Sequence, residues 1–125
     1  MITFAPSGRR VPKPWGYEVI WAETDRYAAK LLVIEAAHQL SLQVHVHKDE
    51  SILVLSGQLG LLLEDDSDEL RIHELGPGDT ARVRPGRQHR FMARRRTELI
   101  EVSSPELDDV IRLSDAYGRT GTTSP

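Results

Sequence analysis

The stretch Gln43-Val44-His45-Val46-His47-Lys48-Asp49-Glu50 decides the reading of this chain. In an extended strand side chains alternate between two faces, so Gln43, His45 and His47 project to one side while Leu42, Val44 and Val46 project to the other. One face is therefore a row of nitrogen and oxygen donors and the other is apolar. A turn at Lys48-Asp49 then returns Glu50 at the head of the next strand, beside the row it has just left. Further on, Arg84-Pro85-Gly86 makes a tight turn immediately ahead of His89, which can approach the same point from across a barrel. Imidazole, carboxylate and amide donors on rigid strands suit a divalent ion: zinc first, with manganese, iron, cobalt and nickel as alternatives. The chain has no cysteine, so a thiolate site and a disulfide framework are both excluded.

Outward from this stretch the pattern is one of short apolar runs divided by turn residues, without a sustained helical period. Strands are expected at residues 16–21, 28–34, 40–47, 51–56, 58–63, 70–75, 79–83, 88–93 and 98–103. Such short strands suit an all-β sandwich or barrel. Gly57 marks a tight turn or bulge, and the acidic run Glu64-Asp65-Asp66-Ser67-Asp68-Glu69 reads as a solvated hairpin tip rather than a calcium loop. Residues 105–119 form a helical or coiled end piece, with Leu107, Val110, Ile111 and Leu113 able to dock on the barrel. The expected organisation is an N-terminal arm at 1–14, one domain at 15–119 and a tail at 120–125.

At 125 residues the chain holds one core. Its net charge of −3 supplies no general attraction for nucleic acid or anionic membrane. The N-terminal residues lack the apolar stretch of a secretory signal or membrane span, so the expected location is the cytoplasm.

These residues resemble the two motifs of the cupin superfamily. The second motif, G, five residues, P-x-G-x-x-H, is matched from Gly78 to His89, with Arg84 in the proline place and Pro85 after it. The first, H-x-H, three or four residues, E, six residues, G, ends on Glu50 and Gly57 and admits two registers. In one, His45 and His47 are the pair, with a spacing to Glu50 that is one residue short; in the other, Gln43 and His45 are the pair and the spacing fits. The string from Leu40 to His45 is similar to the metal-binding strand of phosphomannose isomerases. Lys13-Pro14-Trp15-Gly16-Tyr17-Glu18, Leu40 to Glu50, Val54 to Gly57 and the closing Asp108-Asp109-Val110-Ile111-Arg112 through Tyr117-Gly118-Arg119 resemble the isomerase domain fused to mannose-1-phosphate guanylyltransferases. This sequence does not contain the nucleotidyltransferase domain or its glycine-rich loop, so guanylyl transfer is not expected of these residues.

The resemblance implies a jelly-roll barrel with one metal ion on Gln43, His45, Glu50 and His89, acting on a sugar phosphate as an aldose–ketose isomerase. His47 stays open between a fifth metal ligand, a proton carrier and a surface residue. Lys30 and Arg112 are expected on the phosphate, with Arg82, Arg84, Arg87 and Arg90 as a further arginine rim and Arg94 to Arg96 as strand-edge charges. Trp15 and Tyr17 are expected to pack as a pair at an edge strand, and His38 and His73 to be ordinary polar residues. A non-catalytic cupin that binds or senses a small molecule, and an iron-dependent dioxygenase, are the alternative functions. The expected assembly is a homodimer.

Overall fold

The computed structural model describes residues 8–118 and 121–122, and every regular element among them is a strand. In chain order these are β1 (Arg9–Lys13), β2 (Gly16–Glu23), β3 (Ala28–Ile34), β4 (Leu42–Val44), β5 (Glu50–Ser56), β6 (Leu59–Glu64), β7 (Leu70–Leu75), β8 (Thr80–Val83), β9 (His89–Ala93), β10 (Thr97–Ser103), β11 (Ile111–Ser114) and β12 (Gly121–Thr122). They form two six-stranded sheets, ordered β1-β2-β3-β10-β5-β8 and β12-β11-β4-β9-β6-β7, with every pairing antiparallel. No helix among the described residues is long and apolar enough to cross a membrane.

The inward positions explain both the core and the place of the site. Along β3 they run Ile34, Leu32, then Lys30; along β5, Val54, Ile52, then Glu50; along β9, Ala93, Phe91, then His89; along β10, Leu99, then Glu101, and all are buried. Each strand is thus apolar at one end of the barrel interior and polar at the other. Leu32, Ile34, Ile52, Val54, Leu59, Leu61, Phe91 and Leu99 fill the apolar end together with Trp15 and Leu40. Truncating a side chain such as Phe91 there would cost about 3–5 kcal/mol.

Two expectations about the chain ends need correction. Part of the expected arm is an edge strand: Arg9–Lys13 pairs with β2, and Pro12 is accommodated because β1 is the outermost strand of its sheet. The end piece contributes no helix; Ile111–Ser114 pairs with β4 instead, because Val110 and Arg112 face inward while Leu113 faces out, a two-residue period. Of the expected tail, Gly121 and Thr122 form β12, while residues 120 and 123–125 lie outside the described residues, as do residues 1–7 of the arm and Arg119. The expected turn at Gly57 is present. Its φ is +92°, and a Cβ there would stand 2.3 Å from the Arg96 carbonyl oxygen, so only glycine fits.

Candidate metal centre and its cavity

His45 directly follows β4, Glu50 opens β5 and His89 opens β9. Glu50 Oε1 lies 3.5 Å from His45 Nε2 and 3.2 Å from His89 Nε2, with all three side chains buried. One ligand atom from each lies within 4.8 Å of the others, so the trio could hold a metal ion. The far side of each imidazole is fixed by backbone: His45 Nδ1 donates to the Asp109 carbonyl at 2.5 Å and His89 Nδ1 donates to the Arg87 carbonyl at 3.0 Å. A carbonyl can only accept, so in the neutral imidazole each proton sits on Nδ1 and each Nε2 points a lone pair at the Glu50 oxygen. Three acceptors then face one another, and His45 Nε2 and Glu50 Oε1 are buried without a hydrogen-bond partner. Mutual repulsion in this arrangement is removed by a cation between the atoms, so the donor set fits a metal. Burial pushes the Glu50 carboxyl upward, but the Lys48 ammonium beside it is the leading opposing cause and the group is held well below the usual carboxylate range. Glu50 is therefore an ionised donor.

Gln43 is the cross-strand neighbour of His89, and its Nε2 lies 3.4 Å from His89 Nε2. Its Oε1 accepts from Ser41 Oγ at 3.2 Å; a half-turn of the amide presents that oxygen to the trio instead. The structure does not bring His47 to this place. Strand β4 ends at Val44, the chain bends at Val46 and His47, and His47 is exposed. The alternation of faces that placed His47 beside His45 does not continue beyond the strand.

Of the trio, His45 lines a small cavity that also has Trp15, Lys30, Gln43, Lys48, Glu101 and Arg112 in its walls. Lys30 and Arg112 thus share one cavity with Gln43 and His45, and Arg112 is the register partner of Gln43 across β11 and β4. Within the walls a ladder of opposite charges runs away from the metal trio. Lys48 Nζ lies 3.1 Å from Glu50 Oε2 and 3.1 Å from Glu101 Oε2, Lys30 Nζ lies 3.3 Å from Glu18 Oε1, and Lys13 Nζ lies 3.9 Å from the same Glu18 oxygen. Alternation of sign is what makes so many buried charges tolerable, since each isolated one would cost several kcal/mol. Burial lowers the Lys48 ammonium, yet Glu101 and Glu50 raise it above the ordinary lysine value. Burial and the charge of Glu50 raise Glu101, only partly offset by Lys48 and Lys30.

Sequence reasoning passed over Glu18, Lys48 and Glu101. For Glu18 and Glu101 a signal was present, a carboxylate two residues from a buried apolar side chain and so on the inward face, Glu18 beside Ile20 and Glu101 beside Leu99. Lys48 carries no such mark, because it follows the bend and only the three-dimensional path turns it inward.

Among the other expected residues, His38 is exposed and stacks against Tyr117 with ring centroids 6.2 Å apart, and His73 is exposed on β7. The arginine rim is largely engaged elsewhere: Arg82 with Asp49, Arg87 with Asp66, and Arg90 with the Leu40 and Ser114 carbonyls. Arg94 and Arg96 pair with Glu74 and with Glu35 and Glu98. Trp15 and Tyr17 separate: Trp15 is buried in the core and walls the cavity, whereas Arg10 covers the Tyr17 ring at 3.7 Å.

Two packed antiparallel sheets with this His–Glu–His cluster between them define a cupin. The fold matches that of an RmlC-like cupin from Shewanella frigidimarina with a TM-score of 0.73 at 17% identity, covering 86% of this chain and 92% of that one. Oxalate decarboxylase from B. subtilis matches with a TM-score of 0.76 at 15% identity, over 90% of this chain and 34% of the other. Within the cupins the chain belongs to the family described as mannose-6-phosphate isomerase C-terminal, which it matches over residues 5–115. Mannose-1-phosphate guanylyltransferase of Escherichia coli K12 is 34% identical over 117 residues, which is 89% of this chain and 23% of the relative. Xanthan biosynthesis protein XanB of Xanthomonas campestris is 32% identical over 124 residues, 90% of this chain and 24% of that protein. The chain spans about a quarter of the length of these curated relatives.

Proposed function

We propose that this domain is a metal-dependent aldose–ketose isomerase of the mannose-6-phosphate type. The observation that carries the reading is the convergence of His45, Glu50 and His89, with Gln43 beside them, where His45 and Gln43 share a cavity wall with Lys30 and Arg112. The family description supports the substrate class. Gln43, His45, Glu50 and His89 would hold one divalent ion, zinc first, which when bound supplies Lewis-acid polarisation of the sugar carbonyl. Lys30 and Arg112 orient the phosphate by charge and hydrogen bonding. The isomerisation moves one proton from C2 to C1 and another from the O2 hydroxyl to the C1 carbonyl oxygen, with no net gain or loss of atoms. His47 is exposed and outside the cavity, so we assign the carbon-to-carbon transfer to the Glu101 carboxylate in the cavity wall. The buried walls exclude water from the intermediate enediol.

The test is interconversion of mannose 6-phosphate and fructose 6-phosphate by the purified, zinc-loaded chain. Chelation abolishes it, and His89→Ala loses metal and turnover together. Absence of turnover with one metal bound per chain overturns the catalytic reading; calorimetric binding of the same sugar phosphates would then favour a binding domain.

A homodimer is part of the proposal. Val19, Leu31, Ile100 and Leu53 are successive cross-strand partners, forming one apolar row across four strands of the first sheet, with Val102 and Leu55 exposed beside it. A second copy would cover that face. Light scattering at the mass of a single chain would remove this part.

A further inference from the structure

We propose that Asp109 is the positioning residue of the metal centre, clamping the loop that joins two of its ligands. The inference rests on the metal reading of His45, Glu50 and His89. Between His45 and Glu50 the chain leaves β4 and makes a bend, so nothing in the sheet ladder holds the two donors in register. The loop's ends are held by the Gly86 N–H on the His45 carbonyl at 2.7 Å and by the Ser104 N–H on the Asp49 carbonyl at 3.0 Å, and its middle is held by the closing segment. Asp109 Oδ1 accepts from the Val46 N–H at 3.0 Å, and Oδ2 accepts from the His47 N–H at 2.6 Å and the Lys48 N–H at 2.9 Å. Three consecutive amides thus form a concave nest around one carboxylate, the geometry in which backbone binds an anion.

The same residue holds the neighbouring ligand with its main chain, since its carbonyl is the acceptor for His45 Nδ1. One residue therefore fixes the loop and also sets the His45 tautomer that leaves Nε2 open toward Glu50. Asp109 is itself anchored, with Leu107 buried against Ile20 and Ala28 on one side of it and Val110 buried on the other. Lys48, the third amide in the nest, is the residue whose ammonium pairs with Glu50. Displacing the carboxylate would loosen His45 and the Glu50 partner together. The paired acids of the closing motif thereby divide into an exposed Asp108 and a structural Asp109.

The experiment uses the full chain and compares the native protein with Asp109→Asn, Asp109→Ala and the control Asp108→Asn. Zinc affinity is read by competition with a chromophoric chelator, coordination by the visible absorption of the cobalt-loaded protein, and the His45 tautomer by nitrogen NMR of the metal-free protein. The native protein is expected to show the proton on Nδ1. Both Asp109 variants are expected to bind zinc about 10- to 100-fold more weakly, as loss of an outer-shell partner typically does. They should also show altered cobalt spectra and a mixture of His45 tautomers, while Asp108→Asn matches the native protein. Asp109 variants with affinity within twofold of native would overturn the proposal. A native His45 carrying its proton on Nε2 overturns it whatever the variants do, even if they fail to fold. A native protein that binds no zinc overturns the metal reading along with this one, so the two failures are told apart.

Discussion

Single residues carry two conflicts between local preference and tertiary demand. Ala37 has φ of +65°, in the left-handed region that costs an alanine about 1 kcal/mol, and it stays there because its N–H donates to the Ala93 carbonyl at 2.9 Å. Ala37→Gly relieves the steric cost while adding some chain entropy to the unfolded state. The expected result is a gain of roughly 0.5 kcal/mol, read as a higher urea midpoint at unchanged slope. The second conflict is Lys48, a long cation buried between Glu50 and Glu101. Lys48→Met removes one partner from a buried ionic group and is expected to cost about 3 kcal/mol in the metal-free protein. Combining it with Glu101→Gln should recover part of that loss, because the carboxylate left unpaired is neutralised. Strict additivity of the two changes in urea unfolding would show that Lys48 acts through packing rather than charge.

At the scale of elements, the sheet was legible because its strands obey a two-residue period. The expected runs at residues 28–34 and 70–75 coincide with β3 and β7, and most other boundaries shift by one or two residues. Two elements were not legible. Strand β1 was hidden by Pro12, which only an edge position permits, and β11 by a short alternation that becomes decisive only once β4 is beside it. The acidic hairpin tip between β6 and β7 was read as a solvated turn, and the structure adds its organising residue. Asp65 Oδ1 accepts from the Ser67 and Glu69 amides at 2.8 and 3.0 Å, and Oδ2 from Arg71 Nε at 2.6 Å. The Glu69 backbone bond and Arg71 lower its carboxyl below the ordinary aspartate value. A group with a lowered folded value contributes stability that is fully present above the ordinary value of about 3.9 and lost as the pH falls through the folded one. The Ser67 and Glu69 amide shifts should therefore titrate together with a midpoint below that of a free aspartate. A midpoint at or above it would show that the carboxylate does not organise the tip.

At the scale of the whole molecule the legible and hidden parts of the site divide by the kind of order involved. Gln43, His45, Glu50 and His89 were readable because motif spacing on strands is a one-dimensional record of a three-dimensional convergence. The Lys48–Glu101 pair and the Asp109 clamp join residues 53 and 61 to 64 positions apart, and no periodicity encodes such contacts. The barrel is consequently stabilised unevenly, with close apolar packing at one end and mutually facing acceptors at the other. A metal that binds the folded chain and not the unfolded one should act mainly on the polar end. At a free concentration 100 times its dissociation constant it adds about 2.7 kcal/mol of stability, worth roughly 10 °C in the unfolding midpoint of a domain this size. Scanning calorimetry with zinc and with chelator is expected to show that rise in the native protein. His89→Ala should lose the rise while changing the metal-free midpoint much less, because the deletion also relieves the repulsion among the acceptors. An equal response to zinc in the native protein and in His89→Ala would mean that the stabilising ion binds somewhere other than between His45, Glu50 and His89.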